Sequence, residues 1–94
     1  MPQKWEGRFT SGDKVTSFSL SDVKGDKGYF YANGIEQGTA FTISGPIVGD
    51  RARLLKQYKG QSRYITLHMR VGRGFMQGVW VMGGATGSVS FGSV

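Results

Sequence analysis

The chain has no cysteine, two prolines and a single histidine among its 94 residues. Without cysteine there is no disulfide framework and no thiolate metal site. One histidine, His68, leaves a metal centre dependent on carboxylates, and no spacing gathers them around it. The opening MPQKWEGRF holds no apolar run of the signal-peptide kind, and no stretch approaches the ~20 apolar residues of a membrane span. The expectation is a cytoplasmic chain without a membrane span. Charge is also absent in two places: residues 51–73 contain no acid, and residues 74–94 contain no formally charged side chain.

What is present is glycine and aromatic side chains. Sixteen glycines, without a collagen period, sit mostly between or inside alternating runs, which points to tight turns and crowded strands. An aromatic fraction of 13% and a hydrophobic fraction of 38% argue for a packed globule rather than a disordered chain. The length fits one domain spanning residues 1–94.

The charge that does occur is uneven. Residues 1–50 carry five bases (4, 8, 14, 24, 27) against six acids (6, 13, 22, 26, 36, 50), whereas residues 51–73 carry seven bases (51, 53, 56, 59, 63, 70, 73). A field concentrated in one segment is an argument for an anionic partner, set against a solvated basic face with no partner at all.

Apolar and polar residues alternate with period 2 through most of the chain. Residues 4–10 place Trp5, Gly7 and Phe9 on one face, and residues 14–21 place Thr16, Phe18 and Leu20 inward. The stretch 24–28 is a polar glycine loop of hairpin length. Residues 29–35 are apolar on both faces, so the inner one stays open. Residues 39–44 alternate through Phe41 and Ile43, and Gly45-Pro46 reads as the break that ends this strand. Residues 63–71 are the cleanest strand, with Ile65, Leu67, Met69 and Val71 on one face. Residues 75–82 are apolar on both faces apart from Gln77. Gly83–Gly87 reads as a turn into a short strand over residues 88–91, with Val89 and Phe91 inward.

Residues 51–59 admit two readings. As a strand they face Ala52, Leu54 and Tyr58 inward, with Lys56 among them. As a helix they have Asp50 as N-cap and Gly60 as a C-terminal stop. The surrounding strands favour the first. Eight short strands joined by short turns then predict an all-β, single-domain, eight-stranded antiparallel up-and-down barrel. A helix near 50–59 would instead give an OB-like barrel, a common nucleic-acid binder.

Phe41-Thr42-Ile43-Ser44-Gly45, Lys56-Gln57-Tyr58-Lys59-Gly60, Gly78-Val79-Trp80 and Gly87-Ser88-Val89-Ser90-Phe91 follow one another through the last half of the chain, with the strand 63–71 between the second and third. This rhythm resembles that of calycin-like (lipocalin- and avidin-like) meander barrels. The chain departs from a full lipocalin in being shorter and in reading Trp5-Glu6-Gly7 near its start where that family has Gly-x-Trp. The resemblance implies a non-enzymatic binding domain for a small apolar or amphiphilic ligand or a protein partner, with no cofactor. Lumen candidates are Trp5, Phe18, Phe41, Tyr58 and Trp80.

The alternative is a nucleic-acid-binding module. Single strands are held by stacking on aromatic rings while Lys and Arg track the phosphates. Arg51, Arg53, Lys59, Arg63, Arg70 and Arg73 are the candidate track, with Tyr64 and His68 interleaved. His68 has Thr66 and Arg70 as same-face neighbours, and no catalytic constellation forms around it. Gly72-Arg73-Gly74-Phe75-Met76-Gln77-Gly78 has the wrong spacing for a dinucleotide fingerprint and reads as a hairpin turn. If the last strand fails to close the barrel, its free edge suits a homodimer.

Overall fold

A computed structural model describes residues 4–94. It contains eight strands: β1 (Trp5–Ser11), β2 (Lys14–Asp26), β3 (Tyr29–Glu36), β4 (Thr39–Val48), β5 (Arg51–Tyr58), β6 (Tyr64–Gly72), β7 (Phe75–Met82) and β8 (Ala85–Ser93). Each pairs antiparallel with the next, and β1 pairs with β8 from Trp5↔Ser93 to Phe9↔Val89, so the sheet closes into an up-and-down barrel. Closure removes the unpaired edge on which an edge-to-edge dimer through β8 would depend.

The strand reading of 51–59 holds, and the helical alternative, with its OB-like barrel, is overturned. β5 pairs with β4 through Ile43↔Lys56 and with β6 through Leu54↔Leu67. Its buried residues, Ala52, Leu54 and Lys56, are two apart. In a helix, positions two apart point to nearly opposite sides, and β4 and β6 would each lose a partner. Helix propensity yields here to backbone pairing on both flanks.

Three boundaries differ from the sequence expectation. β2 runs on to Asp26 because a bulge between Ser21 and Lys24 absorbs one residue, with Asp22 at φ 54°. The turn that follows is only Lys27-Gly28, at φ 51° and 75°. β4 does not end at Gly45-Pro46: it continues to Val48, with Gly45 opposite Phe30 and Pro46 opposite Tyr29. Pro46 has no N–H for β5, where pairing passes from Ser44↔Leu55 to Ile47↔Ala52. Gly45 allows the close approach, since a Cβ there would run into the Arg53 carbonyl oxygen. β8 likewise starts at Ala85, leaving Gly83-Gly84 as the whole turn.

The inner face of β3 is Phe30, Ala32 and Gly34, and that of β7 is Met76, Gly78 and Trp80. The lumen is one contiguous core of fifteen buried apolar residues, with Phe41, Leu20, Ile43, Leu54 and Leu67 the largest that are fully enclosed. Two polar side chains join them inside: Thr16 and Lys56.

Candidate functional site

Lys56 is 3% exposed, on the inward face of the middle of β5. Alternation dictates its direction. With Leu54 and Tyr58 on the same face, Lys56 points into the lumen whatever its polarity. Burying a lone ammonium is prohibitive, so a partner is required. That partner is Glu36, the last residue of β3, inward by the same parity as Phe30, Ala32 and Gly34. Lys56 Nζ donates to Glu36 Oε1 at 2.6 Å, across the intervening strand β4. The Tyr58 hydroxyl is 3.0 Å from Glu36 Oε1 and 3.1 Å from Oε2, donating to the same carboxylate.

Aromatic faces complete the surroundings of the ammonium. Lys56 Nζ lies 4.3 Å from the ring centre of Phe9, 4.5 Å from Phe41, 5.0 Å from Tyr58 and 5.3 Å from Phe18. A cation within about 6 Å of an aromatic face is attracted by the ring quadrupole, most strongly when desolvated. Burial lowers the Lys56 amine below its usual range, while the hydrogen bond and negative charge of Glu36 pull the other way. Burial, seconded by Glu36, raises the Tyr58 phenol, which therefore stays a hydrogen-bond donor across the physiological range.

Beside this cluster the lumen is not filled. A cavity of about 150 Å³ is lined by Phe9, Phe18, Ile43, Lys56, Leu67 and Trp80, and reaches the barrel end at Ser11 and Met82. Ser11 and Met82 are exposed, and they mark its mouth. Trp80 is fixed at this wall because its indole N–H donates to the Thr10 carbonyl at 2.7 Å, while Thr86 Oγ1 donates to the Trp80 carbonyl at 2.7 Å. The walls are apolar apart from Ser11 at the mouth and Lys56, whose carboxylate partner Glu36 lies outside the lining.

The five lumen candidates all lie on the inward face, but they do not form one group. Phe18 and Trp80 line the cavity, and Phe41 and Tyr58 flank Lys56. Trp5 stands apart. It packs at the other end of the lumen with Phe30 and Phe91, each ring centre 5.9 Å away. Sequence reasoning singled out neither Lys56 nor Glu36 as a site residue. Inward parity alone identifies Lys56, and Glu36 becomes legible only once Phe30 and Ala32 are known to face inward.

The anion candidates Arg51, Arg53, Lys59, Arg63, Tyr64, His68, Arg70 and Arg73 are all exposed on the outside of the β5–β6 hairpin and its turns. The fold divides them. Arg51 faces Arg70 and Arg53 faces His68 across the two strands. Lys59, Arg63 and Tyr64 sit towards the opposite end, Lys59 roughly 20 Å and Tyr64, opposite Gln57, roughly 13 Å from Arg53 at the rise of a strand. Leu55, Thr66 and Gln57 lie between. The barrel adds a residue that the sequence does not place there: Arg8 on β1 joins the Arg51–Arg70 row through Gln77 and Ser90. Among the described residues no group of three or more His, Cys, Asp or Glu side chains comes close enough to hold a metal ion.

No known protein family, curated protein or solved structure matches this chain. The geometry of the barrel is therefore what a functional reading has to rest on.

Proposed function

We propose that this is a calycin-like binding barrel that takes one compact, largely apolar ligand, with a single polar atom, at the lumen mouth beside Lys56. The observation that carries this reading is the cavity of about 150 Å³ next to a buried amine and its carboxylate. Cavities of about this size lined by aliphatic and aromatic side chains stay dry and accept molecules as small as benzene. Convergence of a few polar groups on an apolar hollow is what fixes a ligand's orientation. The volume suits a ligand, or the end of one, about the size of a single ring.

Benzyl alcohol tests the reading directly. Titration followed by amide and methyl chemical shifts is expected to show saturable changes at Ile43, Ile65, Leu67, Met82 and Val89, the residues that line the cavity or its mouth. Met82→Trp, at the exposed mouth, is expected to suppress them. Saturable changes restricted to the outer face, or none at millimolar benzyl alcohol, would reject the site.

A second reading is supported by the outer surface. Arg51, Arg70 and Arg8 share one cross-strand row with Gln77 and Ser90 between them, and the row contains no acid. Like charges directly opposite one another are destabilising, so a phosphate backbone lying along this row would relieve a repulsion that the fold otherwise retains. Binding of single-stranded oligonucleotides that weakens steeply with salt, and weakens again in Arg51→Glu and Arg70→Glu, is the expected result. Salt-independent binding would count against it.

A further inference from the structure

An apolar pocket does not need a primary amine, and this one is built around one. Lys4, Lys14, Lys24, Lys27 and Lys59 are exposed, whereas Lys56 is buried. Lys56 lines the cavity, and its Nζ is 2.6 Å from Glu36 Oε1, with the Tyr58 hydroxyl on the same carboxylate. A nucleophilic amine, a proton acceptor at hydrogen-bond distance, and a water-poor hollow that opens between Ser11 and Met82 are what carbonyl capture requires. The geometry points to reversible covalent capture of small aldehydes by Lys56 as a protonated imine. This inference rests on the lumen mouth being a ligand site, and it names the ligand class.

The step balances within the site. The Lys56 ammonium passes a proton to Glu36, and the free Nζ lone pair attacks the aldehyde carbon, forming the C–N bond as the C=O π pair moves to oxygen. That oxygen takes a proton from nitrogen to give the neutral carbinolamine. Glu36 returns its proton to the hydroxyl, which leaves as water while the nitrogen lone pair forms C=N⁺. Ammonium plus aldehyde thus become iminium plus water, with Glu36 again a carboxylate. The iminium keeps the charge that the ammonium had, so the Glu36 partner and the Phe9 and Phe41 faces hold it as they held the ammonium. The lowering of the Lys56 amine by burial favours the free base needed for attack. Glu36 and Tyr58 are the titratable groups facing it; Phe9, Phe18 and Phe41 supply the rest of its surroundings.

The test is reductive trapping. The intact protein is incubated with benzaldehyde and sodium cyanoborohydride at pH 7, and each lysine's labelling rate is read by peptide mass spectrometry. Lys56 is expected to label faster than any exposed lysine, because burial lowers its amine and holds more of it as the free base. Benzyl alcohol is expected to compete at Lys56 and at no other lysine. Glu36→Gln frees more of the amine but removes the group that takes and returns its proton, so labelling of Lys56 is expected to slow at loss of water, with the exposed lysines unchanged. If Lys56 labels no faster than Lys4 or Lys59 while benzyl alcohol still shifts the lumen resonances, the aldehyde inference fails and the ligand site stands. If neither occurs, both fall.

Discussion

At the end of the lumen formed by the start of β1 and the close of β8, Trp5, Phe30 and Phe91 pack as three mutually touching rings, each pair of centres 5.9 Å apart. At the opposite end, Phe9, Phe18 and Phe41 surround a charged amine and leave a cavity. Both halves are made of aromatic side chains on inward positions of the same eight strands. They differ in what the rings enclose: other rings at one end, an ion pair and empty volume at the other. The two tryptophans repeat the contrast. Trp80 donates its indole N–H to Thr10, whereas the buried Trp5 Nε1 has no hydrogen-bond partner among the described residues. The Lys56 end satisfies its polar groups and stays open.

The largest expected effect comes from breaking the ion pair on one side. Glu36→Ala leaves the ammonium buried without a counter-charge, and a loss of about 3–5 kcal/mol in urea unfolding is expected. The double variant Lys56→Met, Glu36→Leu is expected to recover most of that loss, since an apolar pair of similar volume is often neutral or stabilising. If the double variant remains as unstable as the single one, the pair is not the reason that the open end is costly to alter.

The tryptophans come next. Trp80→Phe deprives the Thr10 carbonyl of its donor and is expected to destabilise by about 1–3 kcal/mol beyond the packing change. Trp5→Phe removes a donor that has no partner among the described residues, and is expected to cost less than Trp80→Phe under the same conditions. Equal losses by thermal or chemical unfolding would erase the distinction between the ends.

Smaller still is the pH effect. Burial holds the folded Lys56 below its ordinary value of 10.5, so between the folded and unfolded values the unfolded chain binds more protons. Stability therefore rises with pH through that window as far as this residue is concerned. The stability of the native chain relative to the Lys56→Met, Glu36→Leu double variant is expected to rise as pH is raised from 7 towards 10 in parallel urea titrations. A difference independent of pH would show that Lys56 does not titrate differently on unfolding.

The smallest effect lies outside the lumen. Arg51→Glu converts the Arg51–Arg70 cross-strand pair from repulsive to attractive and is expected to stabilise by about 0.2–1 kcal/mol at low salt. The gain should fade as salt is added. A loss of stability would mean that the existing Arg51–Asp50 contact at 3.6 Å, between two exposed side chains, matters more than the repulsion.

Much of this architecture was legible beforehand. Inward sets such as Phe18 and Leu20, or Leu67 and Met69, follow from period-2 alternation, and short glycine turns leave each strand only its sequence neighbour to pair with. The faces of β3 and β7 were not legible, because both sides of Tyr29–Ile35 and of Phe75–Met82 are apolar. Pro46 misled for a related reason. It cannot donate to a ladder, yet the strand passes through it by pairing on the β3 side only.

Taken alone, the sequence determined the inward sets of the clearly alternating strands and the meander order that short turns impose, because these depend on alternation and loop length, which are local. Tertiary structure decided that residues 51–59 form a strand, because only pairing on both flanks outweighs their helix propensity. It also decided that β8 returns to β1, that Arg8 joins the Arg51–Arg70 row, and that Glu36, twenty residues away from Lys56 in the chain, meets it across β4. Those outcomes depend on curvature and closure of the whole sheet, and no local pattern encodes them.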